Sequence, residues 1–82
     1  MTDQEILERF TRILRDLLGD DAIILTMDTR RDQVANWDSF NYVNFIVAVE
    51  MDLGVKFGVA EVESFENVGA IVRRTGAMLA SS

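Results

Sequence analysis

Ser39 is the residue on which chemistry is most readily built. It sits in Trp37-Asp38-Ser39-Phe40, directly before the apolar run Asn41-Tyr42-Val43-Asn44-Phe45-Ile46-Val47-Ala48-Val49. A hydroxyl at or beside a helix start lies where unpaired backbone N–H groups and the helix dipole favour an anion, so the first role to test is a phosphate-linked serine. Two local readings stay open. If Asp38 caps the helix, its carboxylate takes first-turn N–H groups and Ser39 is released outward. If Ser39 is the cap, its hydroxyl is spent on structure, the usual fate of a serine before an apolar run.

Other chemistries fail on residue type. The chain has no histidine and no cysteine, which removes the commonest general base, disulfides, and thiolate or imidazole metal ligands. A serine nucleophile needs an adjacent base, and the one lysine, Lys56, lies beyond the apolar run. A calcium loop from Asp28 through Asp32 to Ser39 also fails: Gln33 occupies the sixth position, where glycine is needed, and Ser39 the twelfth, where glutamate is. Gly19, Gly54, Gly58, Gly69 and Gly76 form no phosphate-cradling pattern. The expectation is a non-enzyme that is covalently modified or that works by protein contact alone.

Composition narrows the partners. The 82 residues fit one domain, 1–82, large enough to bury about 60–65% of its unfolded surface. At 49% apolar residues, including Phe10, Phe40, Phe45, Phe57, Phe65, Trp37 and Tyr42, material for a core is ample. Fourteen acidic against eight basic residues give a net charge of −6, which opposes nucleic acid phosphates and anionic membranes and suits a basic protein partner. No stretch reads as a signal peptide or membrane span, so a soluble cytoplasmic protein is expected.

The elements that position Ser39 follow from periodicity. Thr2 and Glu5 form a capping-box pair, and Ile6, Phe10, Ile13, Leu14, Leu17 and Leu18 recur at helical spacing, predicting a first helix from Asp3 to Leu18 with Gly19 as its stop. Glu8, Arg9, Arg12, Arg15 and Asp16 read as its solvated face. A long loop follows, pinned to the core by Ile23, Leu25, Met27, Val34 and Trp37; a strand over 22–27 would have no partner. The second helix begins at Asp38 or Ser39 and ends near Leu53 before Gly54. It carries two apolar stripes. Phe45, Ile46, Val49 and Leu53 are assigned to the core; Phe40, Val43 and Val47 form either a contact surface or the second packed side of a central helix. A short helix over Ala60–Phe65 and a last helix capped by Asn67, carrying Val68, Ile71, Val72, Ala77, Met78 and Leu79 and fraying at Ser81-Ser82, complete an all-α bundle of three main helices and one short one. Arg73 and Arg74 are expected to face outward.

These residues resemble the acyl carrier protein family over almost the whole chain. The likeness rests on the first-helix set Ile6, Phe10, Ile13 and Leu14, on the loop ending in Trp37, and on Asp38-Ser39 at a helix start. It continues through Glu50-Met51-Asp52-Leu53-Gly54-Val55-Lys56-Phe57 and Phe65-Glu66-Asn67-Val68-Gly69-Ala70-Ile71-Val72. The resemblance implies a 4′-phosphopantetheine group from coenzyme A on Ser39, beside Asp38, attached by a phosphopantetheinyl transferase. It also implies acyl groups carried as thioesters between ligases, acyltransferases or synthases. It places docking on Phe40, Asn41, Val43, Asn44 and Val47, and acyl-chain lining on Phe45, Ile46, Val49 and Ile71, with a monomer as the default. Phe40 departs from the family's leucine, and Asn41 and Asn44 replace usual acidic residues, which implies a specialised carrier rather than the central one of fatty-acid synthesis. Two alternatives remain: an aminoacyl or peptidyl carrier, and a carrier-like interaction module without the prosthetic group.

Overall fold

The computed structural model describes residues 1–81. Helix α1 spans Asp3–Leu18, and its capping box is formed: Glu5 N–H donates to Thr2 Oγ1 and Thr2 N–H to Glu5 Oε1. Gly19 ends it at φ 65°, a left-handed conformation that costs glycine little. α2 covers Ser39–Leu53, α3 Val59–Ser64 and α4 Val68–Ala80, with one 3₁₀ turn at Arg31–Gln33 that the periodicity did not signal. No strand occurs among the described residues. The short helix starts one residue earlier than expected because Gly58 N–H is taken by Glu61 Oε2, which closes the first turn at Val59.

The core joins Ile6, Phe10 and Leu14 of α1, Phe45, Ile46 and Val49 of α2, and Val68, Ile71 and Val72 of α4, with Ile23, Leu25 and Trp37 added from the long loop. α1 packs against both α2 and α4. Phe45 meets Phe10 edge-on at 5.4 Å between ring centres and Trp37 at 5.2 Å, a favourable geometry for ring quadrupoles. Leu53 is only half-buried, and Ala77 is exposed, on the side of α4 away from Thr75, which is fully buried with its hydroxyl donating to Ile71 O at 2.7 Å. Fraying is expected at Ser81-Ser82: Ser81 instead caps α4, its Oγ donating to Met78 O, and Ser82 lies outside the described residues.

The loop needs no strand partner because α4 supplies one. Val68 and Gly69 donate their N–H groups to Thr29 O and Met27 O, each at 2.8 Å, and Ala70 donates to Asn67 Oδ1. The unpaired N–H groups of a helix start thus satisfy loop carbonyls that a sheet would otherwise have served. The polar face of α1 is not merely solvated either. Arg15 Nε holds Ile23 O at 2.7 Å, and Arg9 pairs with Asp52 of α2 at 2.7 Å.

Candidate functional site

Asp38, not Ser39, caps α2. Asp38 Oδ1 accepts the Asn41 N–H at 2.9 Å and its carbonyl accepts Tyr42 N–H at 2.8 Å. Ser39 is therefore the first helical residue, its hydroxyl is not needed by the backbone, and it stands exposed. The N–H groups of Ser39 and Phe40 have no intrahelical acceptor, and they surround the hydroxyl with partial positive charge.

Arg31 reaches the same point from the 3₁₀ turn. Its Nη1 donates to Ser39 Oγ at 3.3 Å, and its guanidinium carbon lies 5.1 Å from the centre of the Tyr42 ring. Tyr42 is in turn fixed by its hydroxyl donating to Val62 O of α3 at 2.7 Å and by an edge contact with Trp37. Burial pushes the Tyr42 phenol above its ordinary value, with the Arg31 charge acting weakly the other way.

Beside Ser39 opens a groove of about 680 Å³ between α2, α3 and the start of α4. Arg31, Trp37, Ser39, Tyr42 and Val43 line it along with Ile46, Phe57, Val59, Val62, Phe65, Val68 and Ile71; Glu50, Lys56, Glu63, Glu66 and Asn67 complete the wall. Phe57 and Phe65 meet edge-on at 5.7 Å within it. Glu50 spends one carboxylate oxygen on the Phe57 N–H. α3 is tied across the groove by Tyr42 and by Arg74 of α4, whose Nε donates to Glu61.

The expected site residues fall into four places. Ser39 and Asp38 meet at the head of α2, and Ile46 and Ile71 lie on the groove wall. Phe45 and Val49 are fully buried in the α1–α2 core instead and do not border the groove. Phe40, Val43 and Val47 are exposed, at 75%, 54% and 45%, and Met51 prolongs their stripe at 81%. The second stripe of α2 is thus a free face and not a second packed side. Asn41 is half-buried and donates its side-chain N–H to Asn36 O, the one non-glycine residue of positive φ among those described. Asn44 is half-buried on the next turn. Arg31 and Tyr42 were not anticipated as site residues, since their roles depend on contacts eight and twenty residues apart. Trp37, expected only as a loop anchor, is buried on the groove wall with an indole N–H that finds no acceptor among the described residues.

No family model matches the chain. Among curated proteins it is similar to an acyl carrier protein of Saccharopolyspora erythraea, 28% identical over 75 residues that cover 92% of this chain and 79% of that one. Among solved structures it is similar to the solution structure of a holo acyl carrier protein from Geobacter metallireducens. That chain is 33% identical, with a TM-score of 0.84 over 92% of this chain and 86% of its own length. Identity at that level over nearly the full length, with the same helical fold, is more than shared architecture: the chain belongs to the acyl carrier protein family.

Proposed function

We propose that residues 1–82 act as one carrier domain that bears 4′-phosphopantetheine on Ser39. The observation that carries this is the division of labour at the head of α2. Because the Asp38 carboxylate caps α2 by accepting the Asn41 N–H, Ser39 Oγ is exposed and available for phosphodiester formation. The residues present fit such a group: the Ser39 hydroxyl is exposed, the N–H groups of a helix start lie beside it, and the Arg31 guanidinium stands 3.3 Å from its oxygen and would hold the phosphate. When bound, the group supplies a terminal thiol that holds acyl groups as thioesters, the nucleophile this cysteine-free chain lacks. The groove beside Ser39, with Ile46, Phe57, Val62 and Ile71 on its walls, offers apolar shelter for a carried chain.

The exposed stripe Phe40, Val43 and Val47 is the surface on which partner enzymes dock in this reading, flanked by Asn41 and Asn44. The first turn of α2 has no acidic residue beyond its cap, so association relies on apolar burial more than on charge steering. That composition supports a specialised carrier acted on by enzymes in trans. The test is intact mass after incubation with coenzyme A and a broad-specificity phosphopantetheinyl transferase. Wild type should gain one phosphopantetheine and Ser39→Ala none; folded wild type that stays unmodified by several transferases would leave Ser39 without this role.

A further inference from the structure

We infer that Arg31 is the residue that holds the phosphate of the Ser39-linked arm, which makes it a positioning residue for that arm; this rests on the carrier function proposed for Ser39. Arg31 and Ser39 lie eight residues apart and on different elements, yet Nη1 is 3.3 Å from Oγ. A phosphodiester on that oxygen would place its two non-bridging oxygens, which share one negative charge, one bond past the phosphorus, within reach of the same guanidinium fork. The contact to a neutral hydroxyl would then become a charge-assisted one, roughly twice as strong.

Three features make Arg31 suited to this. Its backbone is fixed, because Gln33 Oε1 accepts the Arg30 N–H at 2.9 Å and Val34 N–H returns to Arg31 O at 3.2 Å. Its guanidinium plane is backed by the Tyr42 ring, and that ring is held by its bond to Val62 O, so few rotamers need be frozen when an anion arrives. Its charge is also uncommitted. Among the described residues Arg31 makes no ion pair: its neighbour Asp32 is engaged by Arg30, and the capping oxygen of Asp38 by Asn41 N–H. In a chain of net charge −6, with the Asp38 carboxylate adjacent, a phosphate on Ser39 would otherwise add like charge to like.

The experiment compares unmodified and phosphopantetheinylated protein for wild type, Arg31→Gln and Arg31→Lys, with each modification verified by intact mass. Two readouts other than carrier activity are taken. In wild type, modification should move the Arg31 Nε–H resonance in ¹⁵N NMR and the phosphodiester ³¹P resonance should differ from that in Arg31→Gln. In denaturant unfolding at low salt, modification should favour the folded state about three-fold more in wild type than in Arg31→Gln. That excess should vanish in high salt, and Arg31→Lys, which keeps charge but not the planar fork, should retain only part of it. An unmoved Arg31 resonance in verified holo protein, or equal effects of modification in wild type and Arg31→Gln, overturns the inference while leaving the carrier function intact. A mass that never rises overturns both. Should Arg31→Gln fold poorly, the wild-type resonance decides alone.

Discussion

At the head of α2, Asp38 and Ser39 are adjacent carriers of oxygen with different duties, and replacing each should separate them. Asp38→Ala should cost about 1 kcal/mol in denaturant unfolding, the usual loss of a helix cap. Ser39→Ala should stay within about 0.5 kcal/mol of wild type while losing all modification. An equal cost for the serine would mean that its hydroxyl shares the capping. Tyr42 gives a second test, cleanly read because it is the chain's one tyrosine. Burial raises its phenol above the ordinary 10.0, so the folded state favours the neutral form. Its contribution is complete below pH 10 and is lost as pH rises through the raised value. Tyrosinate absorbance should titrate later in folded than in unfolded protein, and Tyr42→Phe should remove that alkaline step.

Between elements, the join of the long loop to α4 is set by backbone and has no room to spare. A Cβ on Gly69 would lie 2.5 Å from Met27 O, the carbonyl that its own N–H binds. Gly69→Ala should therefore push the loop off α4 and cost about 1–3 kcal/mol through strain and a lost buried hydrogen bond. Gly76 sits on the same helix, but a Cβ there would meet Ile6 at 3.5 Å, an ordinary contact. Gly76→Ala should stabilise by about 0.5–1 kcal/mol, the helix-propensity gain. Thermal midpoints moving the same way for both would refute this placement of the two glycines. α3 differs in kind from the other helices, being six residues long and held to its neighbours by the Tyr42–Val62 and Arg74–Glu61 bonds along with the apolar contacts of Val62 and Phe65. Local opening should be easiest there, and amides of α3 should exchange faster than those of α1 or α2.

For the whole molecule, acid should act at two places, the start of α1 and α3. Glu5 is held below its ordinary 4.5 by the Thr2 N–H, and Glu61 by the Gly58 N–H and then by Arg74. Both lowered values mean stability that is present above pH 4.5 and lost as pH falls through the folded-state values. Unfolding midpoints should decline on that acid limb, and Glu61→Gln should shorten it; an unchanged limb would show that the exposed pair contributes nothing. On the outer face, Phe40→Ser and Val47→Ser should leave stability nearly untouched, since neither side chain is packed in the core. Both should slow modification of Ser39 several-fold if transferases dock on that stripe, a loss of apolar contact at about 25 cal/mol per Å². No described helix is long and apolar enough to cross a membrane, and the docking proposed for this face is with proteins.

What the sequence determined by itself was local. The bounds of α1, its capping box, the glycine stops at Gly19 and Gly54 and the core side of α2 all depend on neighbours within four residues, and those patterns are written along the chain. The long loop was also legible as packed and strandless through its apolar anchors. The tertiary structure alone decided which of two adjacent residues caps α2, because spacing permits either and only the backbone geometry selects Asp38. It decided that Ile46, and not Phe45 or Val49 of the same core stripe, borders the groove beside Ser39, since helical periodicity tells which side is apolar but not which neighbour that side meets. And it brought Arg31 to Ser39 and to the face of the Tyr42 ring, and the carbonyls of Met27 and Thr29 to the start of α4. Those contacts join residues far apart in the chain, whose meeting is fixed by packing and by the need to satisfy buried polar groups rather than by any local pattern.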